Sequence, residues 1–234
     1  MDGPTTASPP PRPPALAVIG TSWGGLLAVA DLLDRLPAAL ACPIALVQHR
    51  GAHPSELAKL LARHTDWPVR EADDKDTLDP GTLYVAPADY HLLVDRTGFA
   101  LSTEAPVRFS RPSIDVLFHS AADAFGSRLV GVLLTGANED GAAGLAHIQE
   151  RGGYTLVQDP DTAARADMPQ AALSRMTPDV VGSLAVLADH LTARCGLLGE
   201  REGPAPDPAT SGQWDVPDKV RREGESDMTS RRSR

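Results

Sequence analysis

The sequence predicts an α/β protein: a doubly wound, mostly parallel sheet with helices on both faces and an antiparallel hairpin at one edge. Short runs of branched apolar residues recur, several of them apolar at successive positions, which is the pattern of strands covered on both faces. Segments with apolar residues at helical spacing separate many of these runs. A middle stretch has two short apolar runs around the turn sequence DRTG, which predicts the hairpin.

Branched apolar residues mark the strands of the predicted sheet. In chain order the predicted strands are LAVIG (16–20), PIALVQ (43–48), WPVREA (67–72), TLYVA (82–86), LVGVLLT (129–135) and YTLVQD (154–159). The hairpin is predicted within the stretch 80–102, after the fourth of these strands.

Four segments between the strands are predicted as helices. The first, 24–36, places its apolar residues on one stripe, and the second, 53–64, begins at a Pro-Ser start. The third, 111–125, offers Ser113 as an N-cap, and the fourth, 140–153, ends in the glycine pair expected at a helix C-terminus.

The composition predicts one domain with two tails. The chain has 234 residues, 42% of them apolar, which suits one sizeable core. Residues 15–198 form the predicted domain. The Pro-rich segment 1–14 and the segment 199–234, which mixes Pro, Gly, Ser and charge, are predicted to be disordered.

Charge and cysteine content narrow the function classes. The net charge is −9 and no basic stripe with interleaved aromatics occurs, so nucleic acid is not an expected partner. No run approaches the ~18 apolar residues of a membrane span, so membrane insertion is not expected. Cys42 and Cys195 stand far apart without metal-ligand spacing, so neither a disulfide framework nor a zinc site is indicated. These features favour a cytoplasmic protein.

Three chemically active residues follow predicted strands. Ser22 follows the first strand, His49 the second, and Asp140 lies in the loop after LVGVLLT. Ligands of open parallel sheets bind beyond the carboxyl ends of the strands, so these side chains are expected to meet there. Asp159, which ends a further strand, is the alternative acid.

A hydroxyl, an imidazole and a carboxylate together suit nucleophilic catalysis. Histidine can take the serine proton near neutral pH, and a carboxylate on the other ring nitrogen selects the tautomer and stabilises the imidazolium. The sequence GTSWG, residues 20–24, also matches the G-x-S-x-G turn that projects a nucleophilic serine from a sheet. We expect the amides near Trp23 and Ala137 to stabilise an oxyanion.

Each of these residues also has an ordinary structural interpretation. Ser22 is suited to cap a helix, His49 to bond a backbone carbonyl, and Asp140 to cap the helix that follows it. The chain order Ser, His, Asp differs from the Ser, Asp, His order of α/β-hydrolases, which disfavours a lipase or esterase of that fold. A dinucleotide site or a P-loop is disfavoured because neither glycine pattern is present.

Other polar residues are assigned structural roles. His49 and His53 are four residues apart but lie in a loop containing Gly and Pro, which argues against a metal site. Surface or packing roles are expected for His91, His119 and His147. Helix capping and loop organisation are expected for Arg111, Ser113 and Asp115.

Several motifs in order resemble the catalytic domain of the chemotaxis protein-glutamate methylesterases, the CheB family. They are VIGTSWGG, VQHR, PGTLYVAPADYHLLV, RPSIDVLFHSAA, VLLTGANEDGAAGL and GGYTLVQDPDTAARADMPQAAL, and they span roughly residues 16–191. The resemblance implies that residues 15–198 are a catalytic domain that hydrolyses γ-glutamyl methyl esters on chemoreceptor cytoplasmic helices, often with deamidation of receptor glutamines. It implies a triad of Ser22, His49 and Asp140, and no cofactor or metal.

Two features depart from the family pattern. Trp23 stands where threonine is common, and Gly136-Ala137-Asn138 where Gly-Met-Gly is common. The predicted domain also begins near Met1, as in a stand-alone form without the receiver domain. A receptor or a receptor methyltransferase is an expected partner of the tails. Two other readings stay open: a catalytically silent binding module of the same fold, and a carboxylesterase of small molecules.

Overall fold

The computed structural model describes residues 15–38, 40–51 and 56–197. The two predicted tails, 1–14 and 199–234, lie outside the described residues, as does His53. In chain order the strands are β1 (Leu16–Thr21), β2 (Ile44–Gln48), β3 (Val69–Glu71), β4 (Leu83–Val85), β5 (His91–Val94), β6 (Phe99–Ser102), β7 (Leu129–Leu133), β8 (Tyr154–Gln158) and β9 (Val180–Gly182).

Seven of these strands form one sheet, in the order β3-β4-β2-β1-β7-β8-β9, and every neighbouring pair within it is parallel. All six runs predicted as strands lie in this sheet. The chain runs outward from β1 to one side, through β2, and later returns to place β7 on the other side of β1. This reversal of direction beside β1 creates a crevice at the carboxyl ends of the central strands.

The helices cover the sheet on both faces. They are α1 (Gly25–Arg35), α2 (Leu57–Leu61), α3 (Ile114–Phe125), α4 (Ala142–Glu150), α5 (Asp167–Arg175) and α6 (Leu184–Cys195). Alternate residues of β1 enter two separate apolar clusters. Ile19 packs in the cluster that contains residues of α1 and α6, and Val18 in the cluster that contains residues of α3 and α4. A strand buried on both faces needs apolar residues at successive positions, which confirms the predicted doubly wound fold.

The predicted hairpin is present as a two-stranded antiparallel sheet of its own, made by β5 and β6. Its turn is closed by the Asp95 carboxylate, which accepts hydrogen bonds from the amides of Thr97 at 2.6 Å and Gly98 at 3.0 Å. The hairpin lies against α3, where Val94 N donates to Ser120 Oγ at 3.2 Å. At the other end of β5, His91 Nδ1 accepts from Ser113 N at 3.2 Å, so the start of β5 lies beside the start of α3.

Candidate active site

The serine turn connects β1 to α1. Gly24 is the N-cap of α1 and has φ 79°, a left-handed conformation that glycine adopts without strain. A Cβ at Gly24 would also lie 2.7 Å from the Cβ of Ala164. Ser22 is therefore not the cap of this helix. Its amide donates to Thr135 O at 3.0 Å and its carbonyl accepts from Gly25 N at 3.0 Å, which holds the serine at the carboxyl edge of the sheet.

Thr135, two residues after the end of β7, organises this turn. Its Oγ1 donates to the carbonyl of Trp23 at 3.0 Å and accepts from the amide of Arg165 at 2.9 Å. Its own amide donates to Gln158 Oε1 at 2.9 Å. Thr135 thus links the serine turn to the loop after β8. Sequence reasoning missed this role, although the residue is the polar end of the run LVGVLLT.

His49 lies next to the serine turn because β1 and β2 are parallel neighbours. Thr21 pairs with Gln48 in the register, and His49 N donates to Thr21 O at 3.0 Å. Ser22 and His49 are therefore the next residues of two adjacent strands. Beyond the same edge, Asp140 Oδ2 is 2.6 Å from His49 Nε2. The structure brings the three predicted residues to one edge of the sheet.

Asp140 is fully buried and holds several hydrogen bonds besides that to His49. Its carboxylate accepts from Ser113 Oγ at 2.9 Å, Ile114 N at 2.7 Å and Asp115 N at 3.1 Å. Burial alone would raise the pKa of the Asp140 carboxyl, but the hydrogen bond and charge of His49, with the two amides, outweigh it and lower the pKa. Asp140 is therefore a carboxylate at neutral pH.

The orientation of the His49 ring follows from this contact. Nε2 carries the hydrogen that it donates to Asp140, so Nδ1 is the acceptor. In the serine protease template the acid binds Nδ1 and the serine faces Nε2, so the ring here is reversed. Ser110 Oγ lies 3.4 Å and Asn138 Nδ2 3.3 Å from Nδ1. Within the described part of the chain, no hydrogen bond joins Ser22 Oγ to His49, and neither Ser110 nor Asn138 was a sequence candidate.

Asp115 and Asp140 cap each other's helices. Asp140 precedes α4 but accepts from the first amides of α3, whereas Asp115, in the first turn of α3, accepts from Gly141 N at 3.0 Å and Gly144 N at 2.7 Å at the start of α4. Asp140 therefore does not cap the helix that follows it, which was the structural alternative to its role as the acid beside His49. Ser113 occupies the N-cap position of α3 as predicted, but its hydroxyl donates to Asp140 and accepts no helix amide.

The environment of Asp115 is less favourable to charge. Burial, and then repulsion by the Asp140 carboxylate, raise the pKa of Asp115 to about 7. The amides at the start of α4 and the Arg108 guanidinium, whose Nε is 3.8 Å from the carboxylate, act in the opposite direction. Asp115 therefore titrates near neutral pH.

His91 and Asp159, two further residues considered in the sequence, have structural roles. His91 is buried, accepts from Ser113 N at 3.2 Å and donates to Ala105 O at 3.1 Å, and burial lowers its pKa, so it is neutral. It supports the loop that binds Asp140. The Asp159 side chain accepts from Asp161 N at 3.0 Å at the start of a short 3₁₀ helix, so it does not serve as the acid beside His49.

His119 and His147 lie with ring centroids 4.7 Å apart on α3 and α4, where His147 pairs with Asp123. Arg111 organises the adjoining loops by bonding Asp89 and the carbonyls of Thr103 and Glu104. In residues 15–38, 40–51 and 56–197, no group of three or more His, Cys, Asp or Glu side chains could hold a metal ion.

Exposed aromatic side chains border the site. Trp23 is 63% exposed, and the Arg165 guanidinium lies 5.9 Å from its ring centroid. Phe109 is 79% exposed at the tip of a turn closed by two hydrogen bonds between Val107 and Ser110. Arg108 and Phe109 both have positive φ, 47° and 63°, which is strained for residues with a Cβ. The strained turn thus places an aromatic ring beside Ser110, which contacts His49.

A parallel sheet with a serine, a histidine and a buried aspartate at its carboxyl edge is typical of serine hydrolases of the α/β class. The chain belongs to the CheB methylesterase family, whose model matches residues 17–191. This confirms the resemblance seen in the sequence motifs. No helix in the part of the chain that the structure describes is long and apolar enough to cross a membrane.

Individual relatives agree with this assignment. A Leptospira interrogans protein named for protein-glutamate methylesterase and protein-glutamine glutaminase activities is 44% identical over 174 residues, covering 74% of this chain and 90% of that protein. Protein-glutamate methylesterase FrzG of Myxococcus xanthus is 43% identical over 166 residues, covering 70% of this chain and 50% of FrzG. The crystal structure of the Thermotoga maritima CheB methylesterase catalytic domain matches with a TM-score of 0.73 and 28% identity, covering 77% of this chain and 98% of that one.

Proposed function

We propose that this protein is a protein-glutamate methylesterase in which Ser22 is the nucleophile, His49 the general base and Asp140 the residue that orients the imidazole. The observation that carries the proposal is the 2.6 Å contact between His49 Nε2 and Asp140 Oδ2, beside a serine at the end of the adjacent strand in register. The names of the relatives support the substrate class, which is methyl-esterified glutamates and, for deamidation, glutamines of a protein. We infer from the CheB family that these side chains lie on the cytoplasmic helices of chemoreceptors.

The first half of the reaction forms an acyl-enzyme. His49 Nδ1 takes the proton from Ser22 Oγ as the oxygen attacks the side-chain ester carbonyl. The protonated imidazole then gives this proton to the methoxy oxygen, so methanol leaves and the glutamyl group remains on Ser22. Asp140 stabilises the imidazolium between these steps. Ser110 and Asn138 donate toward His49 Nδ1 before the reaction. These hydrogen bonds must break when substrate binds, so that Ser22 Oγ can donate to Nδ1 instead.

The second half releases the product. Water loses a proton to His49 Nδ1 and attacks the acyl carbonyl, and the proton returns to Ser22 Oγ as the glutamate carboxylate leaves. With a glutamine substrate the same steps release ammonia in place of methanol.

Two backbone amides are suited to stabilise the oxyanion. The amides of Trp23 and Ala137 have no hydrogen-bond acceptor among the residues that the structure describes. The neighbouring amide of Gly136 is occupied, because it donates to Arg165 O at 3.1 Å. Free amides on the two loops that border Ser22 can bind the developing charge without a prior rearrangement. Both contributions come from the backbone, so the Trp23 and Ala137 side chains do not prevent them.

The test is methanol release from a methylated chemoreceptor cytoplasmic fragment. Ser22→Ala is expected to lower the rate by at least about 10³-fold. The matched control is Ser174→Ala, an exposed serine of α5 whose hydroxyl bonds only Gln170 O of its own helix among the described residues. Equal rates for the wild type and Ser22→Ala would exclude the mechanism.

Two further assays distinguish the proposed methylesterase from the two alternative functions. A fluorophosphonate probe should label the wild type and not Ser22→Ala, and absence of labelling in both would indicate a silent binding module. Hydrolysis of simple methyl esters as fast as that of the receptor fragment would indicate a carboxylesterase of small molecules.

A further inference from the structure

Cys42 and Cys195 are neighbours in space although they are 153 residues apart in the chain. Their Sγ atoms are 2.7 Å apart, and both residues are fully buried. This separation is well inside the contact distance of two unbonded sulfurs and only somewhat longer than the S–S bond of about 2.05 Å. The two side chains therefore already point at each other.

The backbone around the two cysteines leads to the same pairing. Leu40 forms an antiparallel bridge with Leu197, and Ala41 N donates to Gly196 O at 2.9 Å. These contacts place the end of α6, where Cys195 lies, alongside the segment that contains Cys42. The backbone therefore brings the two thiols together, as the Sγ–Sγ distance shows.

We propose that Cys42 and Cys195 are an oxidation site that forms a reversible intrachain disulfide. The oxidant is a small disulfide or a hydroperoxide. With glutathione disulfide, two thiols lose two protons and two electrons, the Sγ–Sγ bond forms, and two molecules of reduced glutathione leave. With hydrogen peroxide, one thiol becomes a sulfenic acid with loss of water, and the second thiol displaces a second water from it.

The position of the pair determines how it reacts. Both cysteines belong to the apolar cluster beneath α1 and α6, so small oxidants reach them when the short contact between 40–41 and 196–197 opens. The same burial protects the disulfide from reduction once it has formed.

The bond would tie the last residue of α6 to the segment that enters β2. It would close a loop between residues 153 positions apart and so restrict the unfolded chain strongly. The amino end of β2 lies at the opposite edge of the sheet from His49, so the bond acts on stability rather than on the geometry of the site.

The experiment compares the full chain after reduction and after incubation with glutathione disulfide. Remaining thiols are alkylated in denaturant, and intact mass and peptide mapping follow. We expect a loss of two hydrogens, a linked peptide pair containing Cys42 and Cys195, and a Tm about 5–15 °C above that of the reduced protein. In Cys42→Ala and Cys195→Ala, the oxidant should leave Tm unchanged.

Three results would overturn the proposal. They are alkylation of both cysteines after exposure to the oxidant, a bond between two chains on a non-reducing gel, and equal Tm values for the linked and reduced wild type. The wild-type comparison needs no variant, so a poorly folding alanine variant would leave the test intact.

Discussion

Asp115 and Asp140 are two buried carboxylates with opposite pKa shifts at the starts of neighbouring helices. Asp140 lies beside His49 and accepts from three further donors, which lowers its pKa in the folded chain. Asp140 therefore stabilises the folded chain at pH values above the ordinary pKa of an aspartate. This stabilisation is lost as the pH falls through the lowered folded-state pKa. Asp115 contributes in the opposite direction. Its folded-state pKa of about 7 exceeds the ordinary value of 3.8, so the folded chain keeps a proton that the unfolded chain releases.

Stability should therefore fall as pH rises from about 4 to 7, by on the order of 3 kcal/mol through Asp115 alone. Asp115→Asn retains an oxygen that can accept from Gly141 and Gly144 but cannot ionise, so this part of the slope should disappear. Urea unfolding of both proteins at several pH values measures the difference. Asp66→Asn, at an exposed position, is the control. If the free energy of unfolding changed with pH equally in the wild type and Asp115→Asn, the raised pKa of Asp115 would be contradicted.

A single substitution at Phe109 can test whether its exposed ring contacts the substrate. If the exposed ring on the strained turn contacts the substrate helix, Phe109→Ala should raise KM about tenfold or more while changing kcat little. Steady-state methanol release measures both constants. Leu60→Ala, at an exposed apolar position on α2, should change neither. A fall in kcat at constant KM would instead show that the turn acts through Ser110 on His49.

The meeting of Ser22, His49 and Asp140 at one edge of the sheet was predictable from the sequence because strand ends are local features. The apolar runs stop at Ser22 and His49, and the topology rule for parallel sheets then brings them to one edge. The neighbours of His49 Nδ1 were not predictable, because Ser110 and Asn138 reach the ring from loops distant in sequence. The reversed ring likewise depends on where the Asp140 carboxylate lies in three dimensions.

At the scale of elements, α3 and α4 form the most closely associated helix pair near the site. A Cβ at Gly144 would lie 2.5 Å from the Cβ of Phe118 and 3.2 Å from the Cα of Asp115. The glycine therefore allows the helices to approach closely enough for each carboxylate to reach the first turn of the other helix. Apolar periodicity predicted α1 to α4, whereas α5 and α6 were not among the predicted helices. The strand β9 has only three residues and Val181 within it is exposed, so no period could reveal it.

Gly144→Ala should lower the free energy of unfolding by about 1–3 kcal/mol, because the added methyl group forces α3 and α4 apart. Chemical denaturation measures the effect. The control is Gly51→Ala, since a Cβ at Gly51 meets nothing within 4 Å. Equal stability of Gly144→Ala and the wild type would mean that the helix pair can separate without loss of its contacts.

At the scale of the whole molecule, one sheet separates two apolar clusters, and β1 contributes to both. Contacts hold the two ends of the described range: Ala15 N donates to Arg128 O at 2.7 Å, and Leu40 forms a bridge with Leu197. Both ends are thus bonded to the rest of the domain.

Because the family model matches residues 17–191, a fragment of residues 15–198 should keep the Tm of the full chain within a few degrees and unfold in one cooperative transition. Differential scanning calorimetry compares the two proteins. The same fragment should retain the rate of methanol release from a receptor fragment. A large loss of rate at unchanged Tm would assign a substrate-docking role to one of the tails.

The parallel pairing of β1 with β2 has a consequence for how folding can be observed. Thr21 is opposite Gln48, and the next residues of the two strands are Ser22 and His49, the proposed nucleophile and base. A slip of one position would displace Ser22 from His49 by about 3.3 Å and turn one of the two side chains to the other face of the sheet. Turnover is therefore a sensitive reporter of strand alignment in the centre of the molecule, and recovery of activity after denaturation marks the moment at which the two strands reach their final alignment.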